Sequence, residues 1–458
     1  MPDRKLRLEH GGWAVGCALV EFVVVHKSSS ASRKPSPTTH PAPTKIIKVL
    51  GPGLVTGASD DDPSGIATYS QAGAQFGFSI TWTLLFTYPL MVAIQEISAR
   101  VGRTTGKGIA ANLRQHYPNW ILQPVVVLLI IANTINIGAD LNAMGEAATL
   151  ISGGPKVVYV VGFGIVSTLL QVFVSYSRYV SILKWLTLVL FAYFATVLVV
   201  KVPWSQAAYG FFIPTFSSKA EFWTLVVAIF GTTISPYLFF WQASQEVEDI
   251  RDVRERQPLI RAPKQGPDAI RRIELDTSIG MALSNLVALA IMITTAATLH
   301  AAGTTDIQTS AQAAEALKPV AGEFAFALFA VGIIGTGLLA VPVLAGSSAY
   351  ALGEARRWPT GLNRKPLQAK AFYATIVGST LLAVLIVFSP LDPIKALLWS
   401  AVLNGVVAVP VMAIMMLLSS DRKIMKRFGV GGWLRIVGWI ATVAMAASVV
   451  GMAISSSL

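Results

Sequence analysis

The sequence predicts an all-α integral membrane protein with about eleven transmembrane helices. Of its 458 residues, 53% are hydrophobic and only 13% are charged, whereas a soluble domain usually has about 25% charged residues. Apolar stretches of about 20 residues, long enough to cross the hydrocarbon core as a helix, recur along the chain. We therefore expect the chain to be surrounded by a lipid bilayer. The predicted spans are 46–75, 79–100, 120–150, 157–176, 181–201, 222–248, 277–299, 323–352, 370–388, 391–418 and 433–455.

The basic residues predict the orientation of these spans. The net charge is +12, and most Lys and Arg residues fall in the loops after the even-numbered spans. Because cytoplasmic loops carry an excess of Lys and Arg, this pattern predicts a multi-pass protein of the plasma membrane with a cytoplasmic N-terminus. Membrane topology accounts for the positive charge, so we do not expect a nucleic-acid partner. Cys17 is the single cysteine, which excludes a disulfide framework within the chain and a cluster of thiolate metal ligands.

Composition divides the chain into two parts. Residues 1–44 hold an apolar stretch too short to span, followed by a segment rich in Ser and Pro. They predict a disordered N-terminal tail. Residues 45–458 are predicted to form a single membrane-embedded domain.

Two of the predicted spans are interrupted near their middle by polar residues beside a proline. Span 1 contains "SDDDPSGIAT" at 59–68 and span 6 contains "GTTISPYLFFWQ" at 231–242. The two spans are five apart, and five is an odd number, so they cross the membrane in opposite directions. This predicts a LeuT-like inverted repeat of five plus five helices with broken helices 1 and 6. The repeats are expected at about 46–201 and 222–418, with an extra helix at 433–455.

The break in span 1 has the chemistry of an ion site. Pro63 removes an N–H donor and disfavours helical geometry in Asp62, and Gly65 permits unusual dihedral angles. An unwound segment is tolerated in lipid only where protein or a wet cavity surrounds it, and its carbonyls are then free to act as ligands. A carboxylate at the bilayer centre is costly, so Asp62 is expected to be functional. Asp60 and Asp61 are weaker candidates because one of them could face water.

At these residues the chain resembles the NRAMP family of divalent-metal transporters. The resemblance covers roughly residues 46–455 and is most specific in the first helix. The motifs that carry it are "GPGLVTGASDDDPSG" at 51–65, "GAQFG" at 73–77, "IGADLNAMGEA" at 137–147 and "GTTISPYLFFWQ" at 231–242.

The departures from the family pattern are also informative. Family members mostly read Asp-Pro-Gly-Asn in helix 1, where this chain has Asp-Pro-Ser-Gly and so lacks the amide ligand. In helix 6 they read Met-Pro-His, where Ser235, Pro236 and Tyr237 stand here. Asp140 occupies an acidic position of helix 3, but Ala143 stands where a second acid is usual. This pattern resembles the NRAMP-related magnesium transporter branch.

Ligand chemistry favours the same kind of ion. A thioether selects softer metals, whereas carboxylate, carbonyl and hydroxyl oxygens suit Mg²⁺, Ca²⁺ and Mn²⁺. The carbonyls of Ser59 and Thr232 match backbone-ligand positions of the family. The candidate metal site therefore comprises Asp62, Ser235, Ser59, Thr232 and Gly65, and the candidates for a supporting or pathway role are Asp61, Ser64, Tyr237, Asp140 and Asn404.

We expect a transporter or facilitator of hard divalent metal ions, Mg²⁺ and also Mn²⁺, with weak or no proton coupling. Tyrosine titrates near pH 10 and cannot replace the family's histidine as a proton carrier at neutral pH. The alternatives are a proton-coupled Mn²⁺ or Fe²⁺ importer of the NRAMP type, and a sodium-coupled amino acid or amine transporter of the same fold. An enzyme is not expected, since Gly138-Ala139-Asp140 lacks the first glycine of the intramembrane aspartyl protease motif.

The remaining polar residues suggest secondary roles. Asn133, Asn136 and Asn142 are expected to form a structural hydrogen-bond network between helices. The acidic cluster at 246–252 is expected to be a solvated helix end. The metal ion is predicted to be the substrate, with no resident cofactor. The sequence leaves the oligomeric state open, and a monomer is compatible with it.

Overall fold

The computed structural model describes residues 56–57, 59–174, 190–388 and 392–457, and regular structure in these ranges is helical. The tail predicted at 1–44 lies outside the described residues, so it stays a prediction. The α-helices of the first half are α1 (Pro63–Phe76), α2 (Trp82–Thr105), α3 (Ile109–His116), α4 (Asn119–Ser152), α5 (Lys156–Phe173), α6 (Phe191–Val199) and α7 (Trp204–Phe212).

The second half continues in the same all-helical manner. Its α-helices are α8 (Ala220–Thr233), α9 (Pro236–Asp252), α10 (Gly266–Thr295), α11 (Ser310–Ala314), α12 (Lys318–Ala321), α13 (Ala325–Arg356), α14 (Lys370–Val387), α15 (Pro393–Ser420), α16 (Arg422–Met425) and α17 (Gly432–Ser457). A π-helical turn, Ala296–His300, extends α10. Short 3-10 segments lie at Gly77–Ile80, Pro263–Gln265, Glu315–Leu317, Gly322–Phe324, Pro366–Gln368 and Lys426–Phe428.

Length and composition identify eight membrane-spanning helices in the described residues, or nine if a bent pair counts as one span. The eight correspond to predicted spans 3, 4 and 6–11. The bent pair joins Pro63–Ile80 to Trp82–Thr105 at 109° and covers predicted span 2 with the second half of span 1. Predicted spans 46–75 and 181–201 both include residues outside the described ranges. The count of eleven therefore stays a prediction.

Local backbone chemistry accounts for the helix ends better than the hydropathy pattern does. α2 and α4 are followed by the capping residues Gly106 and Gly153, whose φ angles of +67° and +73° favour glycine. α10 begins at Gly266, eleven residues before the predicted start of its span. The apolar stretch ends where charged residues begin, but the helix itself extends to Gly266 and includes Arg272, which pairs with Glu246 of α9.

The long central helix α4 packs against α13, α14 and α15, while α1 packs against α10 and α15. α8 lies especially close to α15. A Cβ atom on Gly231 of α8 would lie 2.0 Å from the Ala401 carbonyl, and one on Gly405 of α15 would lie 2.8 Å from the Val227 carbonyl. Only glycine allows this backbone approach, which brings Asn404, beside Gly405, to the level of the break between α8 and α9.

Candidate metal site

The first break lies at Asp61 and Asp62, between helical Thr56, Gly57, Ser59 and Asp60 and the start of α1. Asp62 is the N-cap of α1, with extended backbone angles of φ −75° and ψ 170°. Its Oδ1 accepts hydrogen bonds from the Gly65 amide at 2.8 Å and the Ser64 hydroxyl at 2.6 Å. Pro63 follows at the first helical position, where its missing N–H leaves nothing unpaired. The break therefore doubles as a capped helix N-terminus.

The second break separates α8 from α9 at Ile234 and Ser235. Ser235 is extended, with φ −76° and ψ 130°, and Pro236 begins α9. The Ser235 hydroxyl donates to the carbonyls of Gly231 and Thr232, both at 2.8 Å. Ser235 thus engages the carbonyls left by the break.

The two breaks contact each other. A Cβ atom on Gly65 would lie 3.1 Å from the Thr232 hydroxyl and 3.3 Å from the Tyr69 ring. Tyr237, in the first turn of α9, directs its hydroxyl to the Ser59 carbonyl at 3.3 Å and to Asp62 Oδ2 at 3.5 Å. The structure therefore brings together all five predicted metal-site residues.

The second oxygen of Asp62 faces α4. Asn136 of α4 donates to Asp62 Oδ2 at 3.3 Å and to Asp140 Oδ2 at 3.1 Å. Asn404 of α15 in turn donates to the Asn136 side-chain oxygen at 2.8 Å. Among the described residues, Oδ2 has only the two longer contacts, with Asn136 at 3.3 Å and Tyr237 at 3.5 Å, whereas Oδ1 is held by the two short bonds of the cap. Oδ2 is consequently the Asp62 oxygen more available to an incoming cation.

Asp60 and Asp61 turn in another direction. Both approach Ser284 of α10, whose hydroxyl lies 2.8 Å from Asp60 Oδ2 and 3.0 Å from Asp61 Oδ1. The expectation that one of them could face water was wrong, because their exposed fractions are 0% and 6%. Sequence reasoning missed Ser284, because a lone serine in an apolar helix usually bonds its own backbone.

Sequence reasoning also missed Gln242 of α9. Its side-chain oxygen accepts a hydrogen bond from the hydroxyl of Thr56, which precedes the first break. The polar bond ties that segment to α9. The only sequence signal was an amide inside an apolar run.

Every predicted site residue is buried, and Asp62 is 1% exposed. Within the described ranges, no three His, Cys, Asp or Glu side chains are arranged to hold a metal ion. The donors that do converge at the breaks are one carboxylate and neutral oxygens from carbonyls and hydroxyls. Such a set suits hard divalent cations.

A cavity of about 510 Å³ lies at the ends of α1, α8 and α15 that are farther from the breaks. Gln71, Glu221, Thr224 and Asp306 contribute polar side chains to its wall. Gln71 is nine residues beyond Asp62, which corresponds to about 13 Å along the helix axis. The same three helices therefore line this cavity and supply residues to the site.

The acidic end of α9 differs from the prediction. Glu246 is 1% exposed and pairs with Arg272 of α10 at 2.6 Å, and Glu248 pairs with Arg251 at 2.7 Å. The expectation of a solvated helix end was wrong for these two residues. α10 reaches beyond the apolar span and pairs Glu246 with Arg272, whereas Glu248 is paired within α9 by Arg251.

Comparison with known proteins places these features in a family. The sequence profile described as Natural resistance-associated macrophage protein-like, Nramp, matches residues 53–455. A protein named divalent metal cation transporter MntH, from Klebsiella pneumoniae strain 342, is 27% identical over 441 residues. The match covers 94% of this chain and 99% of that protein.

Solved structures share the fold at lower identity. An Eremococcus coleocola manganese transporter, in complex with an aromatic bis-isothiourea compound, has a TM-score of 0.71 and 17% identity. This likeness covers 91% of this chain and 89% of that one. Mhp1, a nucleobase-cation-symport-1 family transporter in a closed conformation, has a TM-score of 0.56 and 12% identity, covering 89% and 92%. The predicted all-α, LeuT-like fold is confirmed. The relatives are named as transporters, which supports the prediction that the chain is not an enzyme.

Proposed function

Because the chain belongs to the Nramp family, we propose that it carries a divalent metal cation across a membrane through the site at its two helix breaks. The names of the relatives, divalent metal cation transporter and manganese transporter, support this cargo. The observation that carries the proposal is the position of Asp62. Its carboxylate is buried where the two breaks meet, and its Oδ2 makes only long contacts with the residues that the structure describes.

In this proposal Asp62 Oδ2 is the charged ligand of the ion. The Ser59 and Thr232 carbonyls and the Ser235 hydroxyl supply neutral oxygens, and Gly65 keeps the space between the breaks free of a side chain. Ser64, Tyr237, Asp140 and Asn404 surround the ion or orient its ligands, and Asp61, which contacts Ser284, has a role in the pathway of the ion. The cavity lined by Gln71 and Asp306 is the route by which the ion approaches from one side of the membrane.

Mn²⁺ is the first candidate ion, because a solved relative is named as a manganese transporter. Mg²⁺ is a second candidate, favoured by the serine hydroxyl at position 235, where a soft thioether would be expected in a site for softer metals. Both ions accept oxygen ligands. Mg²⁺ demands near-ideal octahedral geometry and gives up its waters reluctantly, so a site for Mg²⁺ must leave room for several waters.

We also propose that transport is only weakly coupled to protons, with the protein in the plasma membrane and its N-terminus in the cytoplasm. The neutral Tyr237 and Ala143 at positions where the family pattern has titratable groups support the first point. The concentration of Lys and Arg in alternate loops supports the orientation.

Uptake by purified protein in liposomes tests the function. Vesicles are supplied with Mn²⁺, Mg²⁺, Cd²⁺ or a labelled amino acid, and Asp62→Ala is compared with Asp421→Ala. Asp421 is a matched control because it is also an aspartate that caps a helix, here α16, and it lies outside both the site and the cavity. We expect the wild type to take up Mn²⁺ and Mg²⁺, Asp62→Ala to lose this uptake and Asp421→Ala to keep it. Amino acid uptake without metal uptake would refute the proposal.

A further inference from the structure

The three asparagines of α4 have different partners. Asn133 donates to the Leu344 carbonyl and the Ser348 hydroxyl of α13, both at 3.0 Å, so it joins two helices as expected of a structural residue. Asn136 lies almost one turn further along α4 and makes no such bond to α13. Its side chain instead stands between two buried carboxylates, those of Asp62 and Asp140.

The hydrogen atoms of the Asn136 amide are fully used. A side-chain amide nitrogen has two hydrogens, and here one is directed to each carboxylate. The amide oxygen accepts the short bond from Asn404. Rotation of the amide by half a turn would place its oxygen against two carboxylates and lose the Asn404 bond. Asn404 therefore keeps the amide in the orientation that serves both acids.

The two carboxylates depend on Asn136 to different degrees. Asp62 keeps its bonds from Ser64 and Gly65 whatever happens at α4. Asp140 is fully buried, its Oδ1 has no hydrogen-bond partner, and Asn136 is its only hydrogen-bond donor within the described part of the chain. Loss of Asn136 would leave Asp62 in place and Asp140 without a donor. The nearest strong partner for an unpaired Asp140 would then be a cation bound to Asp62.

We propose that Asn136 is a positioning residue that keeps Asp140 out of the coordination of the transported ion. The proposal rests on the transport function above, with Asp62 as the ligand. A second carboxylate on a divalent ion increases the affinity, since affinity in oxygen sites follows the number of charged ligands. A transported ion must also leave its site, so binding that is too strong slows transport. Asn136 therefore favours turnover at the expense of affinity.

Calorimetric titration of the purified full-length protein with Mn²⁺ alone, together with uptake rates in liposomes, tests this role. We expect Asn136→Ala to tighten Mn²⁺ binding by about tenfold, equivalent to about 1.4 kcal/mol. Its maximal uptake rate should fall. Asp140→Asn combined with Asn136→Ala should remove the gain in affinity, leaving the Kd of Asp140→Asn alone.

Asn133→Ala is the matched control, because it removes a buried amide from the same helix without contact with either acid. Its Kd should equal that of the wild type. If Asn136→Ala does not fold, Asn404→Ala provides the test, since it frees the Asn136 amide and should shift the Kd in the same direction by a smaller factor.

An unchanged or weaker affinity in the variant, or a gain that persists without the Asp140 carboxylate, would overturn the proposal. If the wild type binds and transports Mn²⁺ but Asn136→Ala binds the ion no more tightly, only the role of Asn136 is refuted. If the wild type neither binds nor transports Mn²⁺, the proposed transport function is refuted, and this inference is refuted with it.

Discussion

Asp62 has two roles that substitution can separate, because its two oxygens have different partners. Oδ1 caps α1 through the Gly65 amide and the Ser64 hydroxyl, whereas Oδ2 faces Asn136 and Tyr237. Serine is as good an N-cap as aspartate but has no charge, and alanine provides neither cap nor charge. Asp62→Ser should therefore retain the cap and lose the metal ligand.

The expected magnitude follows from the cap. Replacing a capping serine by alanine typically costs about 1 kcal/mol, so Asp62→Ala should be less stable than Asp62→Ser by about that amount. Both variants lack the buried charge, so its removal does not contribute to the difference in stability between them. Thermal unfolding in detergent without divalent ions measures the stability, and Mn²⁺ uptake in liposomes measures the function. Both variants should lose transport.

Asp421 provides a control for the cap alone. It caps α16 through the Lys423 amide at 2.7 Å and lies outside the site. Asp421→Ala should lose stability of the same order but retain uptake. Near-normal uptake by Asp62→Ser would refute the assignment of the carboxylate as a metal ligand. Equal stability of the serine and alanine variants at position 62 would refute the capping argument.

Three further outcomes are expected. Ser235→Met should raise the inhibition of Mg²⁺ uptake by Cd²⁺, because sulfur favours the softer ion. Ser235→Ala is the control, since it removes the same hydroxyl without adding sulfur. If the ratio of the Cd²⁺ and Mg²⁺ inhibition constants is equal in the two variants, the softness of residue 235 does not set the selectivity. Vesicles loaded with a pH dye should acidify little during Mn²⁺ uptake, since Tyr237 does not exchange protons near neutral pH; proton influx in proportion to metal influx would contradict this. Arg272→Ala should lower the free energy of unfolding by about 3 kcal/mol, because it leaves Glu246 buried without its partner. The double variant Arg272→Ala, Glu246→Gln should recover part of this stability. If the double variant is no more stable than Arg272→Ala, loss of the ion pair does not cause the destabilisation.

The positions of the breaks were predictable because their cause is local. Proline cannot continue a preceding helix, and the residue before it favours extended geometry, so Asp62-Pro63 and Ser235-Pro236 mark the breaks wherever the helices lie. Apolar stretches of membrane length likewise identify helices from composition alone. The motif in the first helix led to the family, and the family profile confirmed it.

The partners of the acids could not be predicted in the same way. Which side chain faces which depends on how far each helix is rotated and shifted along its neighbours, and hydropathy contains no information on either. Two adjacent aspartates therefore turn to Ser284 of α10 while the next turns to Asn136 of α4. Asn133 and Asn136 looked alike in sequence, and both bond to a neighbouring helix, yet Asn136 also contacts the candidate ligand Asp62.

The sequence by itself thus determined an all-helical membrane protein, the two breaks and the carboxylate at the first of them, since these follow from backbone chemistry and composition within a few residues. Only the tertiary structure decided which neutral oxygens meet that carboxylate, which amide separates it from Asp140, and which arginine covers Glu246. These contacts join residues distant in the chain, and their geometry is set by close helix packing such as that between Gly231 and Gly405. A buried charge is tolerated only where such packing supplies a partner.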